Sequence, residues 1–349
     1  MKVFKWPDIQ RHHFSINNAQ SMLILFALSM LVSACDNIDN SRSFEMKTAE
    51  IISPPEAPFI NIDSLTTSKQ HLYVSDIHHI KVFDLQGNYI KSIGEQGSDE
   101  GQFAGDVIGV TLNSRRELLA VDMLNHRVQV FDNQGNFIRA FGNKGSGDGE
   151  FLQPQGILTD QFDLIYISDK ARSDIQVFSP EGEFLYRIGH KGKGLTELSE
   201  PESMAIHNEK LYVADEDNHR IQVFTPRGVY LESLPGFGVL VSAQMESSMD
   251  DIPYQTEFDK LYERTAEGDI EGIAFDNKDR LYFVDEDQNA IKIIEKGHVI
   301  ATITSQADMK SADGIAFSSD FSQLYIADQG SNRVLVFDVS KINRHIEKD

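Results

Sequence analysis

The stretch L-Y-V-A-D-E-D-N-H-R-I-Q-V-F, from Leu211 to Phe224, decides the fold. A β-rich run ends in Asp215, a short polar turn follows, and apolar residues alternate with polar ones up to Phe224. That is the pattern of two strands joined by a tight turn. Close copies begin at Leu118 (L-L-A-V-D-M-L-N-H-R-V-Q-V-F), Leu164 (L-I-Y-I-S-D-K-A-R-S-D-I-Q-V-F), Leu281 (L-Y-F-V-D-E-D-Q-N-A-I-K-I-I) and Leu324 (L-Y-I-A-D-Q-G-S-N-R-V-L-V-F). A shorter copy, L-Y-V-S-D-I-H-H-I-K-V-F, begins at Leu72.

The aspartates ending the first strand of each copy are Asp76, Asp122, Asp169, Asp215, Asp285 and Asp328, spaced by 46, 47, 46, 70 and 43 residues. Ahead of the hairpins lie strands of small residues, such as P-Q-G-I-L-T from Pro154 and I-E-G-I-A-F from Ile270. Behind them, glycine turns lead into a further strand, as in N-Q-G-N-F-I-R-A-F-G up to Gly142. Four strands in a period of this length make one propeller blade. The reading is therefore all-β: a six-bladed β-propeller of four-stranded antiparallel blades over residues 57–340, with an insertion at 237–268 and a polar tail at 341–349. The last blade lacks an outer strand of its own. The alternating run from Phe44 to Ile52 is expected to supply it, closing the ring with an N-terminal strand and removing an exposed sheet edge.

Charge and leader place the chain. The formal net charge is -22, and without residues 1–34, which hold Lys2, Lys5, Arg11 and Asp8, it becomes -24. Such a surface repels phosphate backbones, which excludes nucleic acid as a partner. Ser21 to Val32 is an uncharged apolar run behind those bases, shorter than a comfortable membrane span, which is the form of a secretory signal over residues 1–34. Its end, V-S-A-C at Cys35, resembles a bacterial lipobox. The resemblance implies cleavage before Cys35, acylation of its thiol (palmitate among the chains expected), and a lipid-anchored lipoprotein facing the periplasm, with residues 35–56 as tether and closing strand. Asp36 resembles the signal that retains lipoproteins at the inner membrane. With the only cysteine so used, no disulfide is available, and core packing and ring closure must hold the fold.

The repeated L-Y-V-A-D-x-x-N-H-R-I-Q-V-F, followed by G-x-F-I-R-A-F-G and by G-x-G-x-G-E-F-x-x-P-x-G-I, resembles the NHL repeat family over nearly the whole mature chain. That resemblance implies a propeller used as a binding scaffold or interaction platform, and in some members as an enzyme.

In a propeller the small-residue strand lies innermost, so the residue ahead of its glycine faces the channel mouth. Aligned, these residues are Ile108, Gln155, Glu202, Glu271 and Asp313, while blade one, around Pro58 to Asn61, offers no clear counterpart. Acids converging from adjacent blades repel one another unless protonated or bridged by a cation, and oxygen ligands suit calcium or magnesium. The pattern is also similar to that of gluconolactonase and calcium-dependent phosphotriesterase propellers. This implies one calcium at Glu202, Glu271 and Asp313, with Gln155 beside them, although Ser203 stands where that pattern has glycine. The alternative is a ring of solvated acids around a water-filled pore. Asp122 with Arg127, Asp215 with Arg220, and Asp328 with Arg333 share a five-residue offset across a turn and are expected to fix those turns as scaffold.

No H-E-x-x-H, G-x-S-x-G or phosphate-loop signature is present; the glycine run at Gly142 lacks G-K-S/T. Two functions remain open. One is a monomeric, membrane-tethered binding module for a protein, peptide or envelope ligand on the loop face. The other is a calcium-dependent hydrolase of lactonase, phosphoesterase or phytase type.

Overall fold

The structure, a computed structural model, describes residues 41–234 and 269–347; Cys35, Asp36 and the insertion 237–268 lie outside them. Each period folds as the alternation predicts, with four antiparallel strands counted from the axis outward. Blade four, for example, runs Pro201–His207, Lys210–Asp215, Arg220–Phe224 and Tyr230–Leu234. Blades two and three repeat it, and blade one has a short inner strand at Leu65–Thr67. Blades five and six begin at Ile270–Phe275 and Ala312–Phe317. The fold is a six-bladed β-propeller.

The core lies between blades, because both faces of each middle strand are covered by neighbours and therefore read as unbroken apolar runs. Leu119, Val121, Val128 and Val130 of blade two pack on Ile165, Ile167 and Phe178 of blade three. The phenylalanine ending the third strand, Phe83, Phe131, Phe178, Phe224 or Phe337, is fully buried in five blades, and blade five places Ile294 there. Phe103 and Phe151, from the loops between blades, wedge against Phe131 and Phe178 at ring-centroid distances of 5.8 and 5.6 Å. Gly142 makes room for this wedge: with φ of +90°, it lies where a Cβ would stand 2.4 Å from the Phe151 ring.

The N-terminal segment closes the ring in two pieces rather than one. Arg42–Met46 adds a fifth strand to blade five, parallel to His298–Ser305. Ala49–Ile51 then becomes the outer strand of blade six, antiparallel to Arg333–Asp338. Met46 and Ile51 are the buried anchors of these two strands. At the axis the same joint is tied by the Gly314 N–H donating to the Asp63 carbonyl at 3.0 Å.

The tail expected at 341–349 is instead largely helical. Val339–Ile346 is an α-helix capped by Asp338, whose side chain accepts from the Ser340 and Lys341 N–H groups. Its apolar residues recur every three to four positions, so one stripe carries Val339 and Ile342 into the core while the charges face out. Arg42 donates to the carbonyls of His345 and Ile346, at 3.2 and 2.6 Å, which ties strap and helix together.

The turn pairs meet as charge-assisted bonds. Arg127, Arg220 and Arg333 Nε donate to Asp122, Asp215 and Asp328 Oδ2 at 2.8, 2.7 and 2.7 Å, with all three carboxylates fully buried. Burial pushes the Asp215 carboxyl up, and Arg220 together with hydrogen bonds from Ser199 and Asn218 opposes that shift. In blades one and five the cation is Lys81 and Lys292, each at the strand position that holds glutamine in blades two to four, while His79 and Ala290 stand at the arginine position.

Replacing Arg220 by alanine should cost about 3–5 kcal/mol in urea unfolding, because Asp215 is left buried without its cation. Lys210→Ala, which removes the half-exposed pair with Glu232, should cost under about 1 kcal/mol. Ile51→Ala should cost about 2–5 kcal/mol, and deleting residues 41–52 should lower the unfolding midpoint further. Unchanged thermal unfolding of the truncated chain would contradict closure by the strap.

Candidate functional site

The heads of the six inner strands surround a cavity of about 310 Å³ on the axis. Glycine decides how closely they approach. A Cβ at Gly156 would stand 2.4 Å from the Glu202 carbonyl oxygen, and one at Gly272 would stand 2.3 Å from that of Asp313. Each glycine thus lets the next blade's backbone lie against it, and the residue just ahead of the glycine is carried to the cavity wall. Ser64 and Ser203 take the glycine position in blades one and four. Their hydroxyls accept from the N–H groups of Val110 and Ile273 on the next blade, at 3.4 and 3.3 Å.

The structure brings Ile108, Gln155, Glu202, Glu271 and Asp313 to this one cavity and adds Asp63 as the blade-one member. It also adds a second tier, formed by the residue after the hairpin aspartate in blades three to six: Lys170, Glu216, Glu286 and Gln329. The repeat alignment contained a signal for this tier in the successive dipeptides Asp169-Lys170, Asp215-Glu216 and Asp285-Glu286. For blade one there was little to read, since its inner strand is short and carries Ser64 in place of glycine.

Lys170 is the hub of one side. Its Nζ stands 2.5 Å from Glu216 Oε2, 2.6 Å from Glu202 Oε1 and 3.4 Å from Glu200 Oε2. Gln155 Nε2 donates to both Glu202 oxygens, at 3.0 and 2.9 Å. On the other side, no Lys, Arg or His side chain among the described residues comes within 4.0 Å of the carboxylates of Asp63, Glu271, Glu286 or Asp313. The Asp313 Oδ2 and Gln155 Oε1 atoms are buried without a hydrogen-bond partner.

The acids respond as crowded, partly desolvated carboxyls must. Burial, followed by Glu202 and Asp313, pushes Glu271 up to about 10. Burial, followed by Glu286 and Glu202, pushes Asp313 up to about 8. Burial raises Asp63 well above the carboxylate range, with Asp313 and Glu202 adding to it. Glu216 reaches about 7 because burial outweighs its bond to Lys170. For Lys170, burial favours the neutral amine, but Glu202 and Glu216 override it and hold the ammonium above its ordinary value.

The calcium set fits this arrangement poorly. Both Glu202 oxygens are engaged by Lys170 and Gln155, and among the described residues no three His, Cys, Asp or Glu side chains gather closely enough to share one metal ion.

Residues 108–164 and 159–257 match a family described as a 6-bladed beta-propeller, DUF5128. Virginiamycin B lyase from Staphylococcus aureus, as a catalytically inactive variant with quinupristin, superposes with a TM-score of 0.55 at 15% identity, over 82% of this chain and 84% of that one. A streptogramin B lyase structure gives 0.54 at 15%, over 83% and 86%. The likeness is one of fold. No curated protein matches the sequence.

Because the raised carboxyls bind protons more tightly folded than unfolded, their stabilising contribution is complete below the unfolded values near 4 and is lost as pH rises through about 7 to 10. Wild-type melting temperature should therefore fall between about pH 5 and pH 9. The Glu271→Gln/Asp313→Asn variant should show a flatter profile and melt about 2–4 °C higher at the alkaline end. Calorimetric scans across this range check the sign, and a wild type that gains stability with pH would refute it.

Proposed function

We propose that the chain is a membrane-tethered, extracytoplasmic interaction module that binds a peptide or envelope ligand through the channel-mouth face of its propeller. The observation carrying this reading is the cavity itself. All six blades contribute to it, its carboxylates outnumber its single ammonium, and two of its buried polar atoms have no partner. Buried polar groups left unsatisfied are costly, and a bound ligand relieves that cost. The mouth face also exposes Ile60, Leu124 and Leu152, at 56%, 55% and 38%, apolar residues able to bury against a partner. Tethering rests on the sequence leader and Cys35, and among the described residues no helix is long and apolar enough to cross a membrane. The hydrolase reading rests on the same acids, and the engagement of Glu202 by Lys170 and Gln155 counts against it; the lyases that share the fold lend it no residue.

A photo-reactive amino acid at Leu124 should give discrete cross-linked adducts in intact cells, and these should weaken in the Glu271→Gln/Asp313→Asn background. The same probe at Phe162, 70% exposed on the opposite face, should give none. In the same cells, Cys35→Ser should move the chain out of the membrane fraction. Adducts at Phe162 but not at Leu124 would remove the mouth from consideration.

A further inference from the structure

The two sides of the cavity are unequal in a way that describes the missing occupant. Lys170 shows what the site accepts on one side: an ammonium on a four-carbon stem, in contact with three carboxylates. Across from it, Asp63, Glu271 and Asp313 have no cation, and the Asp313 Oδ2 atom is buried without a partner. The cavity, about 310 Å³, is roughly ten times the volume that one water occupies in the liquid. A single ion would rattle in it. The wall is also not uniformly polar. Ile108, in blade two, lies three blades from Glu271 and so opposite it on the ring, and Ile157 and Met204 line the same space. The uncompensated acids of blades one, five and six thus face a wall where Ile108, Ile157 and Met204 stand among Gln155, Lys170 and Glu202, and this mixture suits a cationic head carried on a methylene chain, where a hydrated inorganic ion would leave the aliphatic surface unused.

We infer that the channel mouth is a socket for a primary alkylammonium group, held by Asp63, Glu271 and Asp313 with its stem against Ile108 and Ile157. The inference rests on the mouth being the recognition face and adds the chemical class of what enters it. A free diamine and a lysine side chain on a peptide share this chemistry. In either case the bound ammonium completes the pattern that Lys170 begins: its charge favours the ionised form of Glu271 and Asp313, whose protons leave to solvent, and the resulting carboxylates accept charge-assisted hydrogen bonds.

The test is titration calorimetry on the folded chain from residue 36 onward, at about pH 8, where the ammonium group is charged. The probes are cadaverine, N-acetyl-lysine amide, 1-pentanol and calcium chloride. Both amines should bind saturably and pentanol should not. Glu271→Gln/Asp313→Asn should weaken amine binding at least about tenfold, the scale of one lost bond to a charged group. Because that variant removes two buried charges, Ile108→Lys provides a second arm. A lysine reaching across from the apolar wall should raise the melting temperature and abolish amine binding. Binding of the lysine amide alone would assign the socket to a peptide side chain, and binding of cadaverine alone to free diamines. Saturable calcium binding lost in the double variant, with no heat from either amine, would overturn the inference in favour of a metal. Absence of binding by any cation to the folded wild type would overturn it as well, while cross-linking at Leu124 would still judge the mouth face separately.

Discussion

The structure depends on how closely the inner strands can approach one another. At Gly109, Gly156, Gly272 and Gly314 any side chain would strike a backbone carbonyl of the next blade, at 2.3 to 2.6 Å. Small residues there are a steric requirement of six sheets meeting around one axis. The same requirement has a chemical result. The residue ahead of each glycine is carried to the cavity wall, so whatever the sequence writes at that position is concentrated in a small space. Here it writes mainly carboxylates, and their mutual repulsion and burial raise their proton affinity together.

Scaffold and site use charge in contrasting ways. In the hairpin turns five of the six buried aspartates receive a cation, and Asp169 of blade three is met by the backbone N–H groups of Leu152, Gln153 and Arg172. Asp215, for instance, is met by Arg220 Nε, the Ser199 N–H and Asn218 Nδ2. A group met in this way is satisfied and holds its turn in one shape. In the cavity a single lysine serves two glutamates at close range, and the remaining acids face open space. The turns around Asp122, Asp215 and Asp328 have their charge matched within the scaffold, whereas the acids of blades one, five and six in the cavity do not. That imbalance separates a repeated structural device from a site able to recognise something, although both are built from the same residue types within a few positions of each other.

Most of the fold was legible because the repeat is long, regular and punctuated by aspartate. The site was half legible. Gln155, Glu202, Glu271 and Asp313 could be placed by their position before a small residue, since strand direction fixes which residue heads the strand. Asp63 was hidden because blade one has a short inner strand and a serine at the glycine position. Lys170, Glu216 and Glu286 were hidden for a different reason: they sit inside the turn motif whose repetition marks it as scaffold. Sequence alone shows which residue follows the aspartate but not that these residues lean back over the channel and decide its charge balance. The C-terminal segment misled through composition, because Val339–Ile346 is polar on average yet apolar along one stripe.

The clasp that closes the ring joins the two ends of the sequence. Glu50 lies 3.2 Å from Arg333, a residue 283 positions later. A chain made from its N-terminus presents Ala49–Ile51 first and must wait for nearly everything else before Arg333–Asp338 arrives to pair with it. Until then both flanks of the growing propeller are open strand edges, the surfaces most prone to joining the wrong partner. Pairing across so long a stretch of chain is also slow, because loop entropy must be lost before the contact can repay it. The interval between synthesis and closure is therefore when this molecule is most exposed to aggregation and to proteases, and when a chaperone would have most effect on its yield.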